Sequence, residues 1–191
     1  MTQPLQQTLL CHAATAQLVI VDIQTRLAAA MAEEARSRVV RNAAILAQAA
    51  GLLQLPLLIS EQYPKGLGPT EEAVARHFPE NRTVIEKSCF ACTDNQRFRD
   101  ALQANDRPQV VLAGMEAHVC VLQSAMGLRS RGYAVFVVED AVCSRKEINH
   151  RNAMERLRAA GVVITNTESV LFEWLRDASH EHFRQISSLI K

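Results

Sequence analysis

Short runs of Val, Ile and Leu alternate with stretches of helical periodicity along the chain, and this alternation limits the possible folds most. The apolar runs fall at 17–22, 55–59, 83–85, 109–112, 133–138 and 162–165. They are apolar at successive positions rather than at every second one, the pattern of strands covered on both faces. Helical patterns lie between them at 35–51, at 118–131 and at 147–160, with one more from a cap at Asp94 to about 104. Two further helices, about 168–177 and 180–190, end the chain. Gly51, Gly132 and Gly161 stand where three of these patterns stop. The expectation is an α/β fold in one domain over 1–191, with six parallel strands between helices on both faces.

Composition excludes several functions. A hydrophobic fraction of 48% is enough for a substantial core. A net charge of +1, with basic residues scattered, argues against nucleic acid or an anionic membrane as partner. No apolar run approaches the ~18 residues of a membrane span. Residues 1–10 lack the basic and apolar segments of a secretory leader and contain no Arg, so a cytoplasmic protein is expected. The five cysteines are odd in number and irregularly spaced, which favours free thiols over a disulfide framework.

Ligand sites of open α/β sheets gather beyond the C-terminal ends of the strands. Three ionisable residues stand at such ends: Asp22 after the first run, Lys87 after the third and Cys120 after the fourth. A thiol near a helix start, beside an ammonium, is expected to have its pKa lowered. Backbone N–H groups there can bind an oxyanion, and a nearby carboxylate can carry protons. Each signal has a plainer explanation. A strand-end Asp is often a turn or helix cap, a lone Lys is usually a solvated charge, and a Cys is by default an inert core thiol. The combination at three rim positions favours function. The segment 61–69, with two Pro and two Gly, is a loop on the same rim.

Other thiol chemistries fit less well. An anion-binding phosphatase loop wants Arg six residues after its nucleophile, and Met126 stands there after Cys120. Cys89-Phe90-Ala91-Cys92 has thioredoxin spacing without the Trp and Pro usual beside it, and packing explains it better. The histidines show no zinc spacing, and there is no Gly-rich nucleotide loop or Walker lysine, so neither metal nor cofactor is expected.

Three segments, Val21-Asp22-Ile23-Gln24, Glu86-Lys87-Ser88-Cys89-Phe90 and Ala113-Gly114-Met115-Glu116-Ala117-His118-Val119-Cys120-Val121, resemble the isochorismatase-like cysteine hydrolases. Residues 60–70 and 177–191 are similar to the branch of isochorismatase domain-containing proteins. The resemblance implies a doubly wound, Rossmann-like three-layer fold and a catalytic triad on Asp22, Lys87 and Cys120. It implies a cis peptide at Met115–Glu116, with the Glu116 and Cys120 N–H groups forming an oxyanion hole. It also implies homo-oligomers. Nicotinamidases carry an Asp-x-His metal motif after the second strand, where this chain has Glu61-Gln62-Tyr63. Vinyl-ether-cleaving isochorismatases commonly lack the nucleophilic Cys. The expected function is therefore a metal-independent cysteine hydrolase that acts on a small amide or related carbonyl compound through a thioester. Gln24, Tyr63 and Phe90 are expected to line the pocket, from their place on the rim. An isochorismate-type vinyl-ether hydrolase and a catalytically idle interaction protein remain as alternatives.

Overall fold

The computed structural model describes residues 10–191. The leader-free reading of residues 1–10 therefore lies, but for Leu10, outside the described residues. In chain order the elements are β1 (Ala16–Val21), α1 (Thr25–Ala29), α2 (Glu33–Leu52), β2 (Leu57–Gln62), α3 (Pro64–Leu67), α4 (Glu72–Ala75) and β3 (Thr83–Lys87). Then come α5 (Gln96–Ala104), β4 (Gln109–Met115), α6 (Leu122–Ser130), β5 (Ala134–Cys143), α7 (Glu147–Ala159), β6 (Val163–Thr165), α8 (Thr167–Leu175) and α9 (Phe183–Ser188). A 3-10 turn at Cys92–Asp94 and a π-helical turn at Ala117–Val121 complete the description.

The six strands form one parallel sheet in the order β3-β2-β1-β4-β5-β6. The chain builds outward from β1 in one direction, then returns to β4 and builds in the other. The order reverses between β1 and β4, and there the strand ends leave a crevice.

Side-chain alternation splits the core into two layers. Leu18 and Ile20 of β1, Val111 and Ala113 of β4, and Phe136 and Val138 of β5 pack with α2, α8 and α9. Val19 and Val21, Val110 and Leu112, and Val135 and Val137 pack with α5, α6 and α7. Both faces of every central strand are thus apolar, which is why these runs show no polar alternation.

Several boundaries differ from the sequence reading. Asn95, not Asp94, caps α5, because its extended backbone lets its Oδ1 accept from the Phe98 N–H at 3.1 Å. Asp94 instead ends the 3-10 turn. The helical pattern from 118 begins as a π turn before α6 starts at Leu122. β5 runs through Glu139 and Asp140 to Cys143, with a bulge that takes the ladder from Leu112–Val137 to Gly114–Val142.

Candidate active site

Strand register brings the polar ends together. Val21 pairs with Ser60 and Ser60 with Ile85, so their side chains share the face covered by α5, α6 and α7. Two residues on, Gln62 pairs with Lys87 on that same face. Asp22 is out of step: continued alternation from Ile20 would send its carboxylate to the opposite layer. Its backbone instead turns left-handed, with φ 51°. Asp tolerates this conformation better than most residues. Its N–H donates to Ser60 O at 3.0 Å, and its own carbonyl accepts from the Gln24 N–H at 2.9 Å. The turn delivers the carboxylate to Ser60 and Lys87.

On the other side of the crevice, Gly114 pairs with Val21. A Cβ at Gly114 would stand 2.0 Å from the Val21 carbonyl oxygen, and the residue's φ is +136°. Only glycine permits this approach, and it draws the end of β4 against the end of β1. The Met115–Glu116 peptide is cis. The π turn that follows holds Cys120, buried and 5% exposed.

The centre is a buried ion pair. Lys87 Nζ stands 2.6 Å from Asp22 Oδ2, and both side chains are fully buried. The ammonium also donates to Gln62 Oε1 at 2.8 Å and to the Cys89 and Phe90 carbonyls at 3.2 and 3.3 Å. Ser60 Oγ donates to Asp22 Oδ1 at 2.7 Å. The Cys120 thiol lies near enough to the same carboxylate for the Asp22 charge to act on it. Asp22, Lys87 and Cys120, spread over about half the chain in sequence, thus share one cluster.

Proton affinities follow from burial and charge. Burial raises the Asp22 pKa; the Lys87 charge and the hydrogen bonds from Lys87, Ser60 and Cys120 oppose it, and the net shift is upward. Burial is the largest single effect on Lys87 and lowers its pKa, but the charges of Asp22, Cys92 and Cys120 and the Asp22 hydrogen bond together outweigh it, and the net shift is also upward. The expectation of a lowered thiol pKa at Cys120 is overturned. Burial pushes this thiol well up, the Asp22 charge adds to the effect, and Lys87 only partly offsets it. Burial and the facing carboxylate both favour the protonated form of the Cys120 thiol.

The surrounding groups have definite places. Glu116 is buried, and its Oε1 accepts from both the N–H and the Nε of Arg145 at 2.9 Å. His118 Nδ1 lies 2.9 Å from Ser144 Oγ, which ties the π turn to the loop after β5. Tyr63 and Phe90 are 61% and 55% exposed, at the ends of β2 and β3. Gln24 does not offer its amide to the mouth. It is fully buried, its Nε2 donates to the Gln62 and Gly68 carbonyls, and its Oε1 accepts from the Gln62 N–H at 2.7 Å. Gln24 therefore fastens the loop that carries Tyr63.

Ser60, Gln62 and Cys92 escaped the sequence reading. The sequence pattern ends the second strand at residue 59, whereas β2 runs to Gln62 and its register sets Ser60 beside Val21, one residue before Asp22. Cys92, read as packing, has its Sγ 3.4 Å from Ser60 Oγ. All five cysteines are free thiols. Among the described residues no group of three or more His, Cys, Asp or Glu is arranged to hold a metal ion. The Glu61 carboxylate accepts from both the N–H and the hydroxyl of Thr70 at 2.7 Å. Among the described residues no helix is long and apolar enough to cross a membrane.

A buried Asp–Lys pair, a thiol and a cis peptide at the switch point of a doubly wound sheet define an isochorismatase-like hydrolase fold. The isochorismatase domain matches residues 16–169, and the chain belongs to the isochorismatase family. It is 38% identical over 154 residues to isochorismatase domain-containing protein 2 of Danio rerio, covering 81% of this chain and 77% of that one. A structure described as the MAR1 ribonuclease of Caenorhabditis elegans superposes with a TM-score of 0.89 at 30% identity, covering 94% of this chain and 91% of the other. The YcaC product of Escherichia coli, described as an octameric hydrolase of unknown specificity, has a TM-score of 0.88 at 25% identity and covers 99% of this chain and 91% of the other.

Proposed function

We propose that the chain is a cysteine hydrolase of small amides or related carbonyl compounds, with Cys120 as nucleophile, Asp22 as general base and acid, and Lys87 as their electrostatic anchor. The observation that carries this is the buried Asp22 carboxylate, held by Lys87 Nζ at 2.6 Å, with the Cys120 thiol near enough to feel its charge. Because the thiol rests neutral, its proton passes to Asp22 as sulfur attacks the carbonyl carbon. The tetrahedral oxyanion would lie against the Glu116 and Cys120 N–H groups. Collapse breaks the C–N bond, Asp22 returns the proton to the leaving amine, and a Cys120 thioester remains. Water then attacks the thioester, Asp22 takes a proton from it, and the thiol is regenerated with that proton.

The raised Asp22 pKa suits this cycle, since a carboxylate nearer neutrality both accepts and returns a proton more readily. Tyr63 and Phe90 would wall the mouth, with Gln24 acting through the loop it fastens. The donor set around the loop after β2 offers no His, which supports metal-independent turnover. The octameric neighbour supports a homo-oligomer, to be checked by light scattering.

The test is a panel of small amides, with isochorismate and RNA as comparison substrates, run before and after chelation. Turnover of an amide with a transient acyl mass on Cys120, absent in Cys120→Ala, is expected. Turnover that survives Cys120→Ala, or is lost on chelation, would refute the thioester route. Turnover of isochorismate alone would favour the vinyl-ether reaction.

A further inference from the structure

We propose that Ser60, itself held by the Cys92 thiol, is the positioning residue of the general base: it aims the Asp22 carboxylate and keeps it ionised until Cys120 gives up its proton to attack. This rests on reading Asp22 as the base. Proton counting carries it. Ser60 Oγ has one proton and two lone pairs. It stands 2.7 Å from Asp22 Oδ1, and an ionised carboxylate only accepts, so the hydroxyl proton is committed there. Cys92 Sγ is 3.4 Å from the same oxygen, which has only lone pairs left to offer. The thiol must therefore donate.

Burial supports that direction, because it pushes the Cys92 thiol up to about 11 and keeps its proton in place. Cys92 is fixed in turn by its own N–H, which donates to Ser124 Oγ on α6 at 2.8 Å. The result is a one-way chain, Cys92 S–H to Ser60 O–H to Asp22, in fully buried surroundings where each bond polarises the next.

The chain has a consequence for the base. Ser60 holds Oδ1 and Lys87 holds Oδ2, so the carboxylate cannot rotate without losing both partners. The Ser60 hydrogen bond also lowers the Asp22 pKa against the burial that raises it. Without the hydroxyl, Asp22 protonates at higher pH. A protonated Asp22 cannot take the Cys120 proton.

The experiment follows Cys120 alkylation by iodoacetamide across pH, read by peptide mass mapping so that Cys89 does not interfere. In the wild type the rate rises with pH and levels off at the Asp22 pKa, and in Asp22→Asn it climbs without levelling. Ser60→Ala should move the levelling point up by about one pH unit, about tenfold slower labelling on the acid side. Ser60→Thr, which keeps the hydroxyl, should restore the wild-type profile. Cys92→Ala should shift it in the same direction by less. An unmoved profile in Ser60→Ala overturns the proposal while leaving Asp22 as base. Identical profiles for the wild type and Asp22→Asn overturn the base assignment itself, and this proposal with it. Should Ser60→Ala not fold, carboxyl-carbon NMR titration of Asp22 in Cys92→Ala decides: a raised midpoint supports the chain and an unmoved one refutes it.

Discussion

Replacing Lys87 with Met removes the charge from the buried pair while keeping most of the side-chain volume. The Asp22 carboxylate then keeps Ser60 at 2.7 Å and Cys120 but faces no cation, with its side chain fully buried. Breaking a buried pair on one side costs about 3–5 kcal/mol, because the remaining charge is uncompensated. The reverse change, Asp22→Asn, is milder. The ammonium has three protons, and Gln62 Oε1, Cys89 O and Phe90 O still accept at 2.8, 3.2 and 3.3 Å. Its hydrogen bonds stay filled, and the loss is that of one charged hydrogen bond, about 1.5–3 kcal/mol. The double variant Asp22→Asn/Lys87→Met should lose less than the two single losses summed. The Lys87→Met loss should also depend on pH. Without Lys87 the already raised Asp22 pKa rises further, so the folded variant binds a proton that the unfolded chain releases above about pH 4. Its stability therefore falls as pH rises, by about 1.4 kcal/mol per unit, until the folded pKa is passed. Urea unfolding at pH 5, 6.5 and 8, with the slope monitored, measures all of this. A Lys87→Met loss below about 1 kcal/mol at pH 8, or an Asp22→Asn loss that exceeds it, would refute the asymmetry argued from the acceptors.

Alkaline pH should weaken the fold through its buried thiols: burial pushes Cys11, Cys92 and Cys143 from 9.0 to about 12, 11 and 12. Burial raises Cys120 as well. The folded pKa is the higher one, so this stability is complete below about pH 9 and is lost as pH rises toward 11, by about 5 kcal/mol per unit for four thiols; a urea midpoint constant from pH 8 to 10.5 would contradict it. Gly114→Ala places a methyl 2.0 Å from the Val21 carbonyl at φ +136°, and should cost about 2–5 kcal/mol, visible as a lower melting midpoint. A melt within about 1 °C of wild type would show that β1 and β4 can part there freely.

The legible parts of this chain are those where one physical demand dominates. β1 and β4 are buried on both faces, so Leu18 to Val21 and Val110 to Ala113 had to be apolar throughout, and the sequence shows it. What stayed hidden are polar residues inside strands. Glu139 and Asp140 read as the end of β5, yet the strand continues because the folded structure satisfies both. Asp140 Oδ1 accepts from the Thr167 N–H at 2.8 Å and hydroxyl at 2.9 Å, and Glu139 pairs with Arg158 at 3.0 Å. Ser60 and Gln62 were lost in the same way, because polar side chains at a strand's end look like a loop. The Cys120 thiol shows the opposite error. A helix start and a cation at the end of another strand, Lys87, suggest activation, whereas the thiol's pKa depends most on burial and on a carboxylate brought from β1. These misses share a cause. A ladder is held by backbone groups, so it can persist while its side chains turn from apolar to polar, and the turn marks where a strand leaves the core and enters a site. Val21, Ser60 and Ile85 lie in one row of the sheet, with Gln62 and Lys87 one step beyond. Read by row and face, Ser60 falls beside Val21 at the end of β1. That Asp22 meets it there depends on the left-handed turn at Asp22, which alternation along the strand does not foretell.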